Sequence, residues 1–336
     1  MLIPYIRSSL LGNLEFCQTQ CVLTYAMGFE SKAGAAASMG SCVHKMMELR
    51  ALGSIAQKAG KDSFEYENWG ELSVQWALDL DQTIDKCYEN QLELDYHVDP
   101  KKISKSKILG WAKKAITDFP QYDPVNLNII QVEQYFDIEI KEDWAKYDHT
   151  INGINYSGYM KIKGTIDCIL SLSDDVIEVF DFKTGSRKDF ATDQEKTLEY
   201  LKNDKQLLFY AYALNKLYPD KSFIMTLYFI NDGGIFSVLG DEEMLQRAED
   251  MIKKKYLELT TMEMPTVRNP RRNDFKCIHC CKYSKPDSYT RGLSVCEFMQ
   301  NKFKNDGVEK TVEKYIKVDK VMSYGTGGGV IRDTNE

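Results

Sequence analysis

The chain has 336 residues, 43% hydrophobic and 28% charged, with a net charge of −7. That is the composition of a globular protein with a real core in one large domain or two modest ones, and the negative balance excludes a surface that attracts nucleic acid as a whole, leaving phosphate contacts to local basic patches. No apolar run approaches the ~20 residues of a membrane span. The start, MLIPYIRSSLLGNLEF, lacks the basic and then long apolar pattern of an export signal, so the nine cysteines point to a cytoplasmic setting with reduced thiols or a metal site.

Residues 9–25, SLLGNLEFCQTQCVLTY, read as a helix with Leu10, Leu14 and Cys17 or Cys21 at helical spacing. Taken alone, either cysteine is a small buried apolar residue. The small residues GAAASM (34–39) lead into GSCVHKMMELRAL, a second helix carrying His44. Residues 64–119 carry helical periodicity through Trp69, Trp76, Leu80, Ile84 and Tyr88 and read as part of a helical insertion over 49–128. Its basic run KKISKSK (101–107) reads as a solvated helix start, and Pro120 and Pro124 close it. NIIQVEQYFDIEI (128–140) reads as a strand, and residues 156–163 begin another.

Gly164 to Gly185, GTIDCILSLSDDVIEVFDFKTG, is two β-rich runs around the polar turn Ser171–Asp175, which predicts a hairpin. Centred on Asp174, it sets Asp167 opposite Asp181, and directly opposed residues have Cβ atoms only ~5 Å apart. Side-chain alternation places Asp181 and Lys183 on one face and Phe180 and Phe182 on the other. Two carboxylates brought together repel, and a divalent cation is the simplest way to keep both ionised. The plainer reading is a solvated sheet face on which Asp167, Asp181 and Lys183 pair with one another.

After Gly185, residues 186–203 read as a polar loop and then a helix. Gln206 and Tyr210 follow, four apart on one helix face, while Leu207, Leu208, Ala211 and Leu214 form its apolar face. Residues 223–230 and 235–239 form a hairpin around Asn231-Asp232-Gly233-Gly234, and 242–259 a charged helix. RNPRRNDFK is basic and extended, making Arg268, Arg271 and Arg272 the best local candidates for phosphate contacts. In CIHCCKYSKPDSYTRGLSVC, Cys277 and Cys280 have C-x-x-C spacing suited to a metal or a cluster, with His279 a nitrogen ligand if the metal is zinc. Residues 307–316 read as a last helix and SYGTGGGVIRDTNE as a disordered end.

Read together, GSCVH, GTID, DFKTG and QLLFY follow the order G-x-x-x-H, G-x-x-D, D-x-K-T-G and Q-x-x-x-Y. The pattern resembles the RecB-like branch of the PD-(D/E)XK nucleases over about residues 9–296, least closely over 49–128. The resemblance implies an α/β fold: a restriction-endonuclease-like core with a central mixed sheet flanked by helices, a helical insertion and a Cys-bound clasp. It divides the chain into N-terminal helices (1–48), the insertion (49–128), a nuclease core (129–264), a cysteine segment (265–300) and a tail (301–336). It implies Mg²⁺ or Mn²⁺ held by His44, Asp167, Asp181 and the Phe182 carbonyl, with Lys183 at the attacking water and Gln206 and Tyr210 lining the site. Glu133 stands where the family often has an acidic residue, and either supports a second metal or faces solvent.

The resemblance further implies a [4Fe–4S] cluster on Cys21, Cys277, Cys280 and Cys296, with Cys17 and Cys281 in reserve and structural Zn²⁺ the rival. The family's proline is Val22 here, and the gap to Cys296 is long. The implied partner is DNA with free ends or single strands, with a separate helicase or recombination protein. No G-x-x-x-x-G-K-[ST] loop supplies an ATP motor, and no membrane partner is expected. An RNA- or CRISPR-linked nuclease and a non-catalytic nucleic-acid-binding module are the alternatives; the intact Asp, Asp and Lys set argues against the second.

Overall fold

The computed structural model describes residues 1–30, 34–189, 192–231 and 234–323. In chain order the elements are β1 (Tyr5–Ile6), α1 (Ser8–Phe16), α2 (Gln18–Cys21), α3 (Ala35–Lys58), β2 (Ser63–Tyr66), β3 (Gly70–Ser73), α4 (Val74–Leu78), α5 (Leu80–Leu94), α6 (Lys105–Thr117), β4 (Ile129–Glu139), β5 (Lys146–Ile151), β6 (Ile154–Tyr159), β7 (Lys161–Ser171), β8 (Val176–Lys183), α7 (Leu198–Leu201), α8 (Lys205–Leu217), β9 (Ser222–Phe229), β10 (Gly234–Leu239), α9 (Glu242–Thr260), α10 (Val295–Asp306), α11 (Val308–Tyr315) and α12 (Val318–Ser323). The fold is α/β, a six-stranded mixed sheet between helical layers. Among the described residues no helix is long and apolar enough to cross a membrane.

The spine of the sheet is β7. Along one edge β4 runs antiparallel to it, from Glu139↔Lys161 to Ile129↔Leu170. The other edge is shared. There β1 pairs in parallel at Tyr5↔Lys161 and Ile6↔Ile162, and β8 pairs antiparallel from Cys168↔Phe180 to Ser171↔Ile177. Beside β8 lie β9, parallel, and then β10, antiparallel. The hairpin register is the one its sequence predicts, and its pairing ends one position short of Asp167 and Asp181. Both carboxylates therefore sit where β7 and β8 part.

Alternation along β8 serves two cores. Ile177 and Val179 join Leu207 and Leu208 of α8 and Ile252 of α9. Phe180 and Phe182 join Val43 and Met46 of α3 and Ile108 of α6. Burying a side chain of this size stabilises by about 1.5–3 kcal/mol, so the register is held from both faces. A one-residue slip would turn Asp181 into an apolar core.

Three local readings are corrected. Residues 9–25 are not one helix: Cys17 takes an extended conformation (φ −167, ψ 114) between α1 and α2, and the chain then continues through a wide turn at Val22–Ala26. The segment 64–119 is not wholly helical, since β2 and β3 pair as a hairpin closed through Gly70 at φ +71. A further hairpin, β5–β6, precedes β7, and its two-residue turn is Asn152-Gly153, both at positive φ. Asp232 and Gly233 of the expected turn, and residues 324–336 of the expected disordered end, lie outside the described residues.

Gly164 is needed because of its cross-strand neighbour. A Cβ there would lie 2.5 Å from Cζ of Phe136, the residue paired with it. Gly164→Val should lower stability by about 1–3 kcal/mol, read as a shift in the urea midpoint at unchanged slope. An unchanged midpoint would mean that the Phe136 ring is free to leave the glycine.

Candidate active site

Four elements converge at the parting of β7 and β8. From α3, His44 Nδ1 stands 3.1 Å from Asp167 Oδ2, with 29% of the His44 side chain and 15% of Asp167 exposed. From β8, Lys183 Nζ stands 2.6 Å from Asp181 Oδ2, and the Asp181 side chain is only 3% exposed. The Phe182 N–H donates to Asp167 Oδ2 at 3.1 Å, which fixes one carboxylate against the strand that carries the other. From α8, Gln206 Nε2 donates to Asp181 Oδ1 at 3.3 Å and to Tyr210 Oη at 3.1 Å. Tyr210 Oη in turn donates to the Thr165 carbonyl at 3.1 Å. The expected residues His44, Asp167, Asp181, Lys183, Gln206 and Tyr210 are thus brought together, with the Phe182 peptide among them.

Close approach of α3 needs Gly40. A Cβ there would lie 2.8 Å from Oγ1 of Thr184, the residue after Lys183. One turn later on the same helix face comes His44, so the glycine sets the depth at which the imidazole arrives.

The cleft beside these residues has a volume of about 590 Å³. Gly40, His44, Glu48, Glu133 and Asp167 line it, so Glu133 faces the cleft. Glu133 has φ +49, in the left-handed region, between the pairs Val132↔Cys168 and Gln134↔Ile166. Such a backbone costs of order 1–3 kcal/mol, and here it accompanies a carboxylate on the cleft wall. The sequence reading missed Glu48 and Lys45, although Glu48 lies four residues after His44 on one helix face. Lys45 Nζ lies 3.2 Å from Glu48 and 3.6 Å from Glu67, and donates to Tyr66 Oη.

The carboxylates strain against one another. Burial pushes Asp181 up to about 6, against the pull of Lys183 and with the repulsion of Asp167. Burial, with Asp167 and Glu48 nearby, pushes Glu133 up to about 8. Burial alone would depress His44, but the Asp167 carboxylate prevails and lifts it to about 9. Burial also opposes Lys183, yet Asp181 and Asp167 keep its ammonium protonated above the ordinary lysine range.

These donors fit a divalent cation. Among the described residues Asp181 Oδ2 is buried with no partner beyond the ion pair to the Lys183 ammonium. The 3.1 Å between His44 Nδ1 and Asp167 Oδ2 is also about the separation of adjacent ligands around an octahedral ion with bonds near ~2.1 Å. Carboxylate oxygens with one imidazole suit Mg²⁺ or Mn²⁺. Among the described residues, no three Cys, His, Asp or Glu side chains are already drawn to ligating distance of one point.

The cysteines divide differently from the sequence expectation. Cys17, Cys277, Cys281 and Cys296 line one cavity of about 140 Å³. Cys21 does not: wholly buried, its Sγ donates to the Leu10 carbonyl at 3.8 Å. Cys280 is not among the lining residues. The break at Cys17 is the reason for the first change. A hydrogen bond from Cys281, opposed by burial and helped by Arg272, lowers the Cys296 thiol to about 7. Arg268 and Arg272 line this cavity too, and Arg268 stacks 5.3 Å from the Phe16 ring. Of the three arginines expected to meet phosphates, Arg271 alone is exposed.

The sequence profile of the PD-(D/E)XK nuclease superfamily matches residues 9–285, and the chain belongs to that superfamily. Membership makes it a nuclease whose substrate is nucleic acid and whose reaction relies on divalent metal ions. No curated protein sequence matches it significantly. Among solved structures it is similar to a protein from Eubacterium rectale described as a "Putative exonuclease", at 14% identity and a TM-score of 0.45, over 86% of this chain and 92% of that one. It is also similar to SSO0001, at 16% identity and a TM-score of 0.28, over 60% of this chain and 78% of that one.

Cation binding must displace protons from these raised groups. Below about pH 6 a proton occupies Asp181, and up to about pH 9 one occupies His44. Mn²⁺ affinity should therefore rise with pH, by up to about tenfold per pH unit for each proton displaced. Titration from about pH 5.5 to about pH 8 checks this. Affinity that is flat over that range would remove these groups from the cation site.

Proposed function

We propose that the protein hydrolyses DNA phosphodiester bonds with Mg²⁺ or Mn²⁺, as an exonuclease acting on ends or single strands in recombination, repair or replication, beside a separate helicase or recombination protein. The observation that carries the reading is the convergence of Asp167, Asp181, Lys183 and His44 at the parting of β7 and β8, beside an open cleft that His44 and Asp167 line. Asp167, Asp181 and His44 would hold the ion, with Glu133 within reach as a further carboxylate. A bound divalent ion polarises the phosphate and lowers the pKa of a bound water. Lys183 keeps its proton beside two carboxylates, so it can donate to the attacking water or to the phosphate oxygen where negative charge grows. Gln206, itself tied to Tyr210, holds Asp181 Oδ1 and leaves the other oxygen beside Lys183, where it could meet the ion.

For the cysteines the same reading puts a [4Fe–4S] cluster on Cys17, Cys277, Cys281 and Cys296 as a structural clasp; what favours it is that four thiols from both ends of the chain line one cavity. Zinc on the same thiols is the alternative.

Purified protein with Mn²⁺ on end-labelled linear and circular, single- and double-stranded substrates tests the reading. Asp181→Ala and Lys183→Ala should each lower cleavage by at least about 10³-fold with little change in unfolding, and His44→Ala less, with partial recovery in excess Mn²⁺. Full activity in either of the first two, or in EDTA, would sink it. Cleavage of circles marks an endonuclease instead, and cleavage of RNA alone an RNA-processing enzyme. Anaerobic protein should be brown with about four irons per chain, and Cys17→Ser should lose iron while Cys21→Ser keeps it.

A further inference from the structure

We infer that Asp204, clamped by Lys196, is a positioning residue for the nuclease site: it holds the start of α8 so that the Gln206 amide stays on Asp181. The inference rests on the nuclease reading for its effect on rate, and on geometry for the contact itself.

Asp204 is 6% exposed and caps α8. Its Oδ1 accepts from the Gln206 N–H at 2.9 Å and the Leu207 N–H at 3.4 Å. Its Oδ2 accepts from Lys196 Nζ at 2.8 Å. A cap serves a helix perfectly well in water. A buried one needs a cation, since an uncompensated carboxylate out of water is costly, and Lys196 supplies it. That lysine belongs to the segment that leaves the catalytic strand at Gly185. The segment folds back on itself through the Lys188↔Glu195 bridge, and the Lys196 N–H donates to the Arg187 carbonyl at 2.9 Å.

The connections close a ring. On the strand side, Lys196 is tied by its N–H to the Arg187 carbonyl, four residues beyond the end of β8. Lys196 grips Asp204, Asp204 grips the first turn of α8, and Gln206 in that turn reaches back to Asp181 on β8. The first N–H groups of a helix have no partner within it, so removing the Asp204 carboxylate frees the turn that carries Gln206. Asp181 Oδ1 then loses its donor and the carboxylate is free to rotate. The Tyr210 anchor on the Thr165 carbonyl lies one turn further in and does not depend on the cap.

The test is a double-mutant cycle on the full chain with Asp204→Ala, Gln206→Ala and both together, beside Asp204→Asn, which keeps a capping oxygen. Steady-state cleavage is read with Mn²⁺ well below the unfolding temperature, and Mn²⁺ affinity is read separately. Asp204→Ala should lower kcat about tenfold with KM changed by less than about threefold, and Asp204→Asn should recover most of the loss. On the Gln206→Ala background Asp204→Ala should add almost nothing, because it acts through that residue. Effects that multiply in the double variant, or wild-type kcat in Asp204→Ala, overturn the inference. Wild-type protein that binds Mn²⁺ but cuts no substrate strikes the nuclease reading alone; a weakened Mn²⁺ affinity in Asp204→Ala that vanishes on the Gln206→Ala background then upholds the positioning role. Protein that neither cuts nor binds Mn²⁺ removes both.

Discussion

Asp181 is a carboxylate almost wholly out of water, placed beside a second carboxylate, and most of the site follows from making that tolerable. Left alone, a buried carboxylate takes a proton and stops being a ligand. Here the compensation comes from each element that reaches the notch. Lys183 stands two residues on along the same strand, Gln206 donates from α8, and His44 and the Phe182 N–H take up the charge of Asp167. Compensation is incomplete, since Asp181 still sits well above an ordinary aspartate and Glu133 higher still. The raised pKa values of Asp181 and Glu133 mark a strain among the carboxylates that a bound cation would relieve.

The sheet creates this situation by ending a pairing early. Had β8 stayed paired with β7 beyond Cys168↔Phe180, the ladder hydrogen bonds would have used the Phe182 N–H that now serves Asp167. Parting the strands turns backbone donors toward side chains. The two cores then fix the geometry from either side: Phe180 and Phe182 under α3, Ile177 and Val179 under α8. Neither helix can shift without repacking one of them. Gly40 and Gly164 mark two close approaches at the site, one helix against a strand end and one ring against a strand.

What was legible in the sequence was local or of short period. The β7–β8 hairpin has a polar turn and an alternation of two, so its register, and with it the facing of Asp167 and Asp181, follow from counting. The pair Gln206 and Tyr210 sits on a helix of period near four and shares a face in the structure too. The Asn152-Gly153 turn was equally local and was passed over. The cysteines were not legible, because helical spacing in residues 9–25 assumes a helix that breaks at Cys17. Composition marks 268–272 as basic, but composition does not say that Arg268 and Arg272 face the thiols. Lys45, Glu48, Tyr66 and Glu67 meet through contacts between α3 and the β2–β3 hairpin, and no single stretch of chain announces such a meeting.

The same distinction bears on what a cysteine clasp can contribute. The two ends of the chain are joined by a set of polar contacts. The Thr19 N–H donates to the Thr266 carbonyl at 3.0 Å, the Lys282 N–H to Gln20 Oε1 at 2.9 Å, and Gln300 Nε2 to Thr19 Oγ1 at 2.6 Å and the Pro265 carbonyl at 2.8 Å. Tyr283 Oη donates to the Phe29 carbonyl at 2.9 Å and contacts Thr24 Oγ1 at the same distance. Each such bond is worth about 0.5–1.5 kcal/mol net, and the buried ones among them would cost more to leave unmade. A cluster held by Cys17, Cys277, Cys281 and Cys296 would therefore lock an interface already formed, rather than recruit a distant segment. Its effect would concentrate on residues 266–296, where Cys277 and Cys281 lie and where, among the described residues, no strand or helix longer than the short turn at Lys276–Cys280 precedes α10. The chain ends are joined by polar contacts and apolar packing, and the loop that carries the thiols is the part that a bound cluster would order most.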